Sequence, residues 1–182
     1  MPLNDNAVLQ IGTGHFYRGA VGAAAPTDLD TISSAVWTEI GHTSLDEILS
    51  FASEGGEATT LGTLQRKTLK TVYSNRVETF SFNLQQWDDA SLKLYFGSNA
   101  AEMSTGSIWL TVPDTPAVTS SAFLAVFTDG VRSFGIYAPK AELFRGDDLE
   151  LADTESLSGM PITVTPVNHS SNTWKFAVTP LA

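Results

Sequence analysis

"AFLAVFTDGVRSFGIYA", residues 122–138, decides the fold class of this 182-residue chain. Two apolar runs flank Asp129-Gly130, and glycine supplies the positive φ that a tight turn demands. The stretch therefore reads as a β-hairpin. In residues 123–127 both alternating sets of side chains are apolar, so this strand is expected at the centre of the fold, covered on two sides. The run "AFLAVF" is also the longest purely apolar one, far short of the ~20 residues that a membrane-crossing helix requires.

Other strands follow outward from this hairpin. "RVETFSFNL", residues 76–84, places Phe80, Phe82 and Leu84 on one face and Thr79, Ser81 and Asn83 on the other. "SIWLTVP", residues 107–113, reads as a strand ended by its proline. "MPITVTPV" and "NTWKFAVTP" read as a last pair around residues 168–172. One helix stands out in "QQWDDASLKLYFG", residues 85–97. Trp87, Ala90, Ser91, Leu94 and Tyr95 recur at helical spacing, Asp88 or Asp89 can cap the start, and Gly97 can end it.

The expectation is a mainly β single domain over residues 1–182. It is a β-sandwich or rolled β-barrel with one short flanking α-helix at about 88–96. Residues 44–53 stay open between two readings. "SLDE" looks like a capping box ahead of helically spaced Leu45, Ile48 and Leu49, yet 49–53 alternates as a strand does. Residues 53–65 have adjacent glycines, several threonines and almost nothing to bury, which reads as a long extended, protruding loop with a function.

A search for chemistry returns no catalytic, cofactor-binding or metal-ligating residue. "VWTEIGHTSLDEIL", residues 36–49, crowds Glu39, His42, Asp46 and Glu47 together. In a strand Glu39 and His42 point to opposite faces, Gly41 interrupts them, and no second His stands near. Trp37 and Ile40 are expected in the core, with Glu39 and His42 flanking the strand's end. "GTG" at 12–14 lacks the third glycine and following helix of a dinucleotide fingerprint. Asp88 and Asp89 diverge on a helix, and no serine stands in a nucleophile elbow. The absence of cysteine excludes disulfides and thiolate chemistry. Residues 1–5 show no basic region of a secretory signal.

The net charge is −10, which opposes nucleic-acid binding through phosphates. The charge is uneven. Arg66, Lys67, Lys70 and Arg76 form a basic stretch, while Asp147, Asp148, Glu150, Asp153 and Glu155 form an acidic one. These are either two solvated faces or complementary patches between copies of the chain.

The order of several segments resembles the major tail proteins of long, non-contractile-tailed phages, notably those infecting actinobacteria. The segments are "WTEIGHTS" (37–44), "EGGEATTLGT" (54–63), "FNLQQ" (82–86), "LKLYFG" (92–97) and the "TDG" turn followed by "YAPKAEL" (137–143). The resemblance covers residues 37–174. It implies a β-sandwich or rolled barrel with one helix and hexameric rings stacked into a tube through which DNA leaves the capsid. It also implies residence in the virion tail after synthesis in the host cytoplasm. The implied partners are other copies of the chain, a tape measure protein and tail-end or terminator proteins. DNA would pass without specific binding.

Within that reading the inter-subunit contacts are expected at Glu54, Gly55, Gly56, Glu57, Thr59 and Thr60, with Arg66, Lys67 and Lys70 meeting Asp147, Asp148 and Glu150 of another copy. The competing class is a non-catalytic β-sandwich module that binds carbohydrate or a host surface. It needs exposed aromatics on one strand face, and Trp37, Trp87, Trp109 and Trp174 all read as core.

Overall fold

The hairpin at 122–138 lies at the heart of a computed structural model that describes residues 3–4, 7–149, 151–170 and 172–181. In chain order the elements are β1 (Thr13–Gly19), β2 (Trp37–Glu39), β3 (Ser50–Gly55), β4 (Ala58–Leu61), β5 (Lys70–Tyr73) and β6 (Arg76–Leu84). Next come α1 (Asp89–Phe96), β7 (Ala101–Glu102), β8 (Leu110–Thr111), β9 (Thr119–Thr128), β10 (Ser133–Arg145), β11 (Met160–Pro166) and β12 (Ala177–Val178). The main sheet runs β2-β1-β9-β10-β11-β6-β3, every pair antiparallel, with β12 also on β10.

β9 is central, as its two-sided apolar pattern requires. Phe123, Ala125 and Phe127 enter the larger core with Phe16, Phe80, Phe82, Leu94 and Ile162. Ala122, Leu124 and Val126 face the opposite way, onto Trp37, Tyr17, Leu29, Ile32 and Tyr137. The loop between β1 and β2 thus seals the second face.

The sheet folds over on itself at β10. Ala138 pairs with Phe123 but Ala141 with Ser121, so one extra residue is accommodated around Pro139. Proline has no N–H to donate and is at home in such a bulge, which bends the strand. The bend brings β6 opposite β1 and β9. The Phe16 and Phe82 rings stack with centroids 4.6 Å apart, and Phe80 and Phe82 lie 6.4 and 6.3 Å from Phe123. The result is a sandwich-like, mainly β domain with one short helix, and the sheet does not close into a barrel.

α1 forms where the periodicity places it. Asp88 is the N-cap, its carboxylate accepting from Ser91 N at 2.8 Å, and Gly97 ends the helix at φ +116°. Ser91, Leu94 and Tyr95 are buried.

Of the two readings left open for 44–53, the structure has the strand, which begins at Ser50; residues 45–47 form bends, and Ser44 Oγ accepts from Asp46 N in a local turn. Residues 53–65 are extended as expected, and they include the end of β3 and the whole of β4. Several expectations need correction. Of 107–113 only Leu110 and Thr111 are strand. β12 pairs with β10 and not with β11. Trp37 is buried, but Trp87, Trp109 and Trp174 are 40%, 66% and 42% exposed. Apolar sequence neighbours do not bury a side chain when the whole segment stands off the core.

Candidate functional site

The edge strand β3 and its neighbour β6 continue beyond the sheet as a two-stranded arm. Gly55 pairs with Arg76, the chain bends at Gly55 and Gly56, and β4 then pairs with β5 from Ala58–Tyr73 to Leu61–Lys70. The bend needs glycine: φ is +86° and +72°, and a Cβ at Gly55 would sit 2.3 Å from Asn75 O. Mutual hydrogen bonds tie Glu57 to Ser74 just past it, and Thr63 pairs with Arg66 across the tip.

Every residue from 57 to 77 is exposed. That includes Leu61, Leu69, Val72, Tyr73 and Val77, with Leu64 at 94%. Directly opposed residues share a face, so Val72 with Thr59 and Leu61 with Lys70 line one side, while Tyr73 with Ala58 and Thr60 with Thr71 line the other. A lone two-stranded ribbon is marginal in water, and this one leaves both faces uncovered.

The arm is the basic part of an acidic chain. Arg66, Lys67, Lys70 and Arg76 against Glu57 make residues 57–76 formally +3, which leaves −13 on the remainder of a total of −10. None of Arg66, Lys67 and Lys70 forms an ion pair among the described residues.

At its root the arm is braced by the C-terminal segment. Lys175 Nζ donates to Arg76 O, and Phe176 lies 5.2 Å from Phe80 and 6.0 Å from Phe51 in ring centroids.

Two adjoining concavities of about 620 and 510 Å³ lie at the far end of β3 and β6. They share Glu47, Asn83, Asp147 and Pro161; Asp46 lines one and Asp148 the other, and no basic residue lines either. Asn83 Nδ2 donates to Glu47 Oε2 at 3.2 Å. Nearby, burial pushes the Tyr95 phenol up, Arg145 partly offsets this, and Asp148 and Asp147 push it further.

The expected contact residues thus sort into two places. Glu54 and Gly55 end β3, Gly56 and Glu57 form the bend, Thr59 and Thr60 lie in β4, Arg66 and Lys67 at the tip, and Lys70 opens β5. Asp147 and Asp148 lie in the groove; Glu150 falls outside the described residues. Sequence reasoning missed Asp46 and Glu47 as groove members, and it missed β5. The alternating, β-prone "KTVY" ahead of Asn75 was the available signal for that strand. It also missed the β7–β8 hairpin, which displays Met103, Ile108 and Trp109 to solvent.

The cluster of Glu39, His42, Asp46 and Glu47 does not form a site. Glu39 Oε1 instead meets His15 Nδ1 at 2.6 Å, and His42 uses its backbone to hold Gln85 and Gln86. Among the described residues no group of three or more His, Asp or Glu could hold a metal ion, and no helix is long and apolar enough to cross a membrane.

Comparison with known proteins bears on what such an arm serves. A family model described as phage tail tube protein matches residues 1–178. The major tail protein Gp23 of Mycobacterium phage L5 is 35% identical over 93% of this chain and 89% of its own length. The major tail protein Gp23 of Mycobacterium phage D29 is 32% identical over the same shares.

Proposed function

This chain belongs to the phage tail tube protein family, whose members are structural, non-enzymatic parts of the virion tail, and from that premise we propose that its copies stack as rings into a DNA-conducting tube. The observation that carries this reading is the arm. A ribbon exposing Leu61, Leu64, Leu69, Val72 and Tyr73 is stabilised when a neighbouring subunit covers it. The contact is heterologous, arm against another surface, so copies add head to tail, around a ring or along an axis, instead of closing as a twofold pair does.

Six subunits per ring, a tape measure protein inside and terminator proteins at the end complete the proposal. The acidic body suits a conduit, because a lumen that attracted phosphates would retain DNA. A carbohydrate- or surface-binding module is the weaker reading. Trp87, Trp109 and Trp174 are exposed, but they sit in three separate connecting segments and not on one strand face.

Electron microscopy of the concentrated protein tests the function. Rings and tubes are expected; monodisperse particles at every concentration would refute self-assembly.

A further inference from the structure

The arm and the acidic groove lie at opposite ends of the same two strands. β3 and β6 pair from Ser50–Ser81 at the groove to Gly55–Arg76 at the arm. Five residues of extended chain separate these ends by about 17 Å, and beyond the bend residues 57–77 all stand exposed. A subunit therefore presents a basic, apolar projection at one end and an acidic concavity at the other.

Resting on the self-assembly reading above, we propose that the arm tip of one copy, residues 62–69, seats in the groove between residues 46–49 and 146–148 of a second copy.

Three features match donor to acceptor. The tip brings Arg66 and Lys67, and the groove supplies Asp46, Glu47, Asp147 and Asp148 without a competing base. The tip also carries Leu64, and the groove rim carries Leu157, 77% exposed. Burying these together adds an apolar contact beside the ion pairs, and a guanidinium can meet a carboxylate through two parallel hydrogen bonds. Finally, the polarity along β3 and β6 makes the contact repeat. Each copy that accepts an arm offers its own arm at the opposite end, and the chain of contacts has no internal stop. The groove is then the surface that sets spacing along the axis, since the arm's length fixes how far apart successive subunits lie.

The chain has no cysteine, so introduced thiols report on single positions. A Leu64→Cys protein mixed with a Leu157→Cys protein and oxidised should give a crosslinked heterodimer, and the Leu64→Cys, Leu157→Cys double variant a ladder of multimers. No heterodimer from folded variants would overturn the groove as acceptor. Charge exchange is the second arm of the test. Glu47→Lys with Asp147→Lys should raise the concentration needed for assembly at least tenfold. Adding Arg66→Glu and Lys67→Glu in the same chain should restore it. Assembly of the groove variant at the wild-type concentration, or no restoration in a folded four-site variant, would also overturn the proposal. Tubes without the crosslink would sink the groove but spare the tube; crosslinks without rings or tubes would do the reverse.

Discussion

Lys175 Nζ lies 2.7 Å from Arg76 O and 3.3 Å from Glu78 Oε2, so a lysine near the C-terminus grips the root of the arm. A charged donor on a strand carbonyl contributes more than a neutral one, and Lys175 is only about one-third exposed in its side chain. The bond fixes where β6 leaves the sheet, while the glycine bend lies opposite. Arm direction is thus set from two sides, by the positive φ of Gly55 and Gly56 and by this clamp.

Lys175→Ala should therefore lower stability by roughly 1.5–3 kcal/mol in chemical denaturation, the range for a hydrogen bond to a charged group. Amide exchange at residues 74–78 should quicken, with the β9–β10 core unchanged. Equal acceleration throughout the sheet would show that Lys175 serves global stability and not the arm.

Leu94→Ala should destabilise by roughly 2–5 kcal/mol, the range for a buried large-to-small change. Leu94 is buried in the main core beside Tyr95 and Ile162. Trp109→Ala, by contrast, should change monomer stability by less than about 0.5 kcal/mol, because the ring stands in solvent on the β7–β8 hairpin. A large loss at Trp109 would place that hairpin against the body.

Asp88 supplies a pH signature. The backbone N–H of Ser91 holds its carboxyl below the ordinary value of 3.8, with smaller help from Gln86 and Arg18 against burial. A folded pKa below the unfolded one stabilises above the unfolded value, and that increment disappears as pH falls through the folded pKa. Asp88→Ala should cost about 1 kcal/mol at neutral pH and progressively less below about pH 4. A penalty independent of pH would mean that the cap works through shape alone.

Removing the arm tests the assembly. Replacing residues 57–73 with a two-residue turn should leave a folded monomer that makes no tubes, because those residues add nothing to the core. In the wild type, arm amides should exchange quickly in the monomer and slowly in the tube. Polymerisation of the truncated chain at the wild-type critical concentration would show that stacking uses another surface.

His42→Ala should fold and assemble almost normally. The side chain is exposed, and it is the His42 backbone that bonds to Gln85 and Gln86. One metal ion per chain, lost in the variant, would contradict this.

The local chain was enough to determine what local chemistry controls. Alternation along 76–84, the two-sided apolar run at 123–127, the Asp129-Gly130 turn and the capped helix at 89–96 are all legible. In each, side-chain period, a glycine φ or a cap acts within a few residues. What only the tertiary structure decided depends on distant partners. The burial of Trp37 and the exposure of Trp109 follow from which segments cover them, and both lie in similar apolar sequence. β3 becomes a strand because β6 pairs with it, Ser53 with Glu78 near its middle, and the Gly-Thr stretch after it because β5 returns alongside. Asp46 and Glu47 join Asp147 and Asp148 in one groove only because β3, β6, β11 and the end of β10 pair side by side. A sequence pattern states which face of an element is apolar; it cannot state which other element arrives to cover that face, because the answer depends on contacts among residues a hundred positions apart.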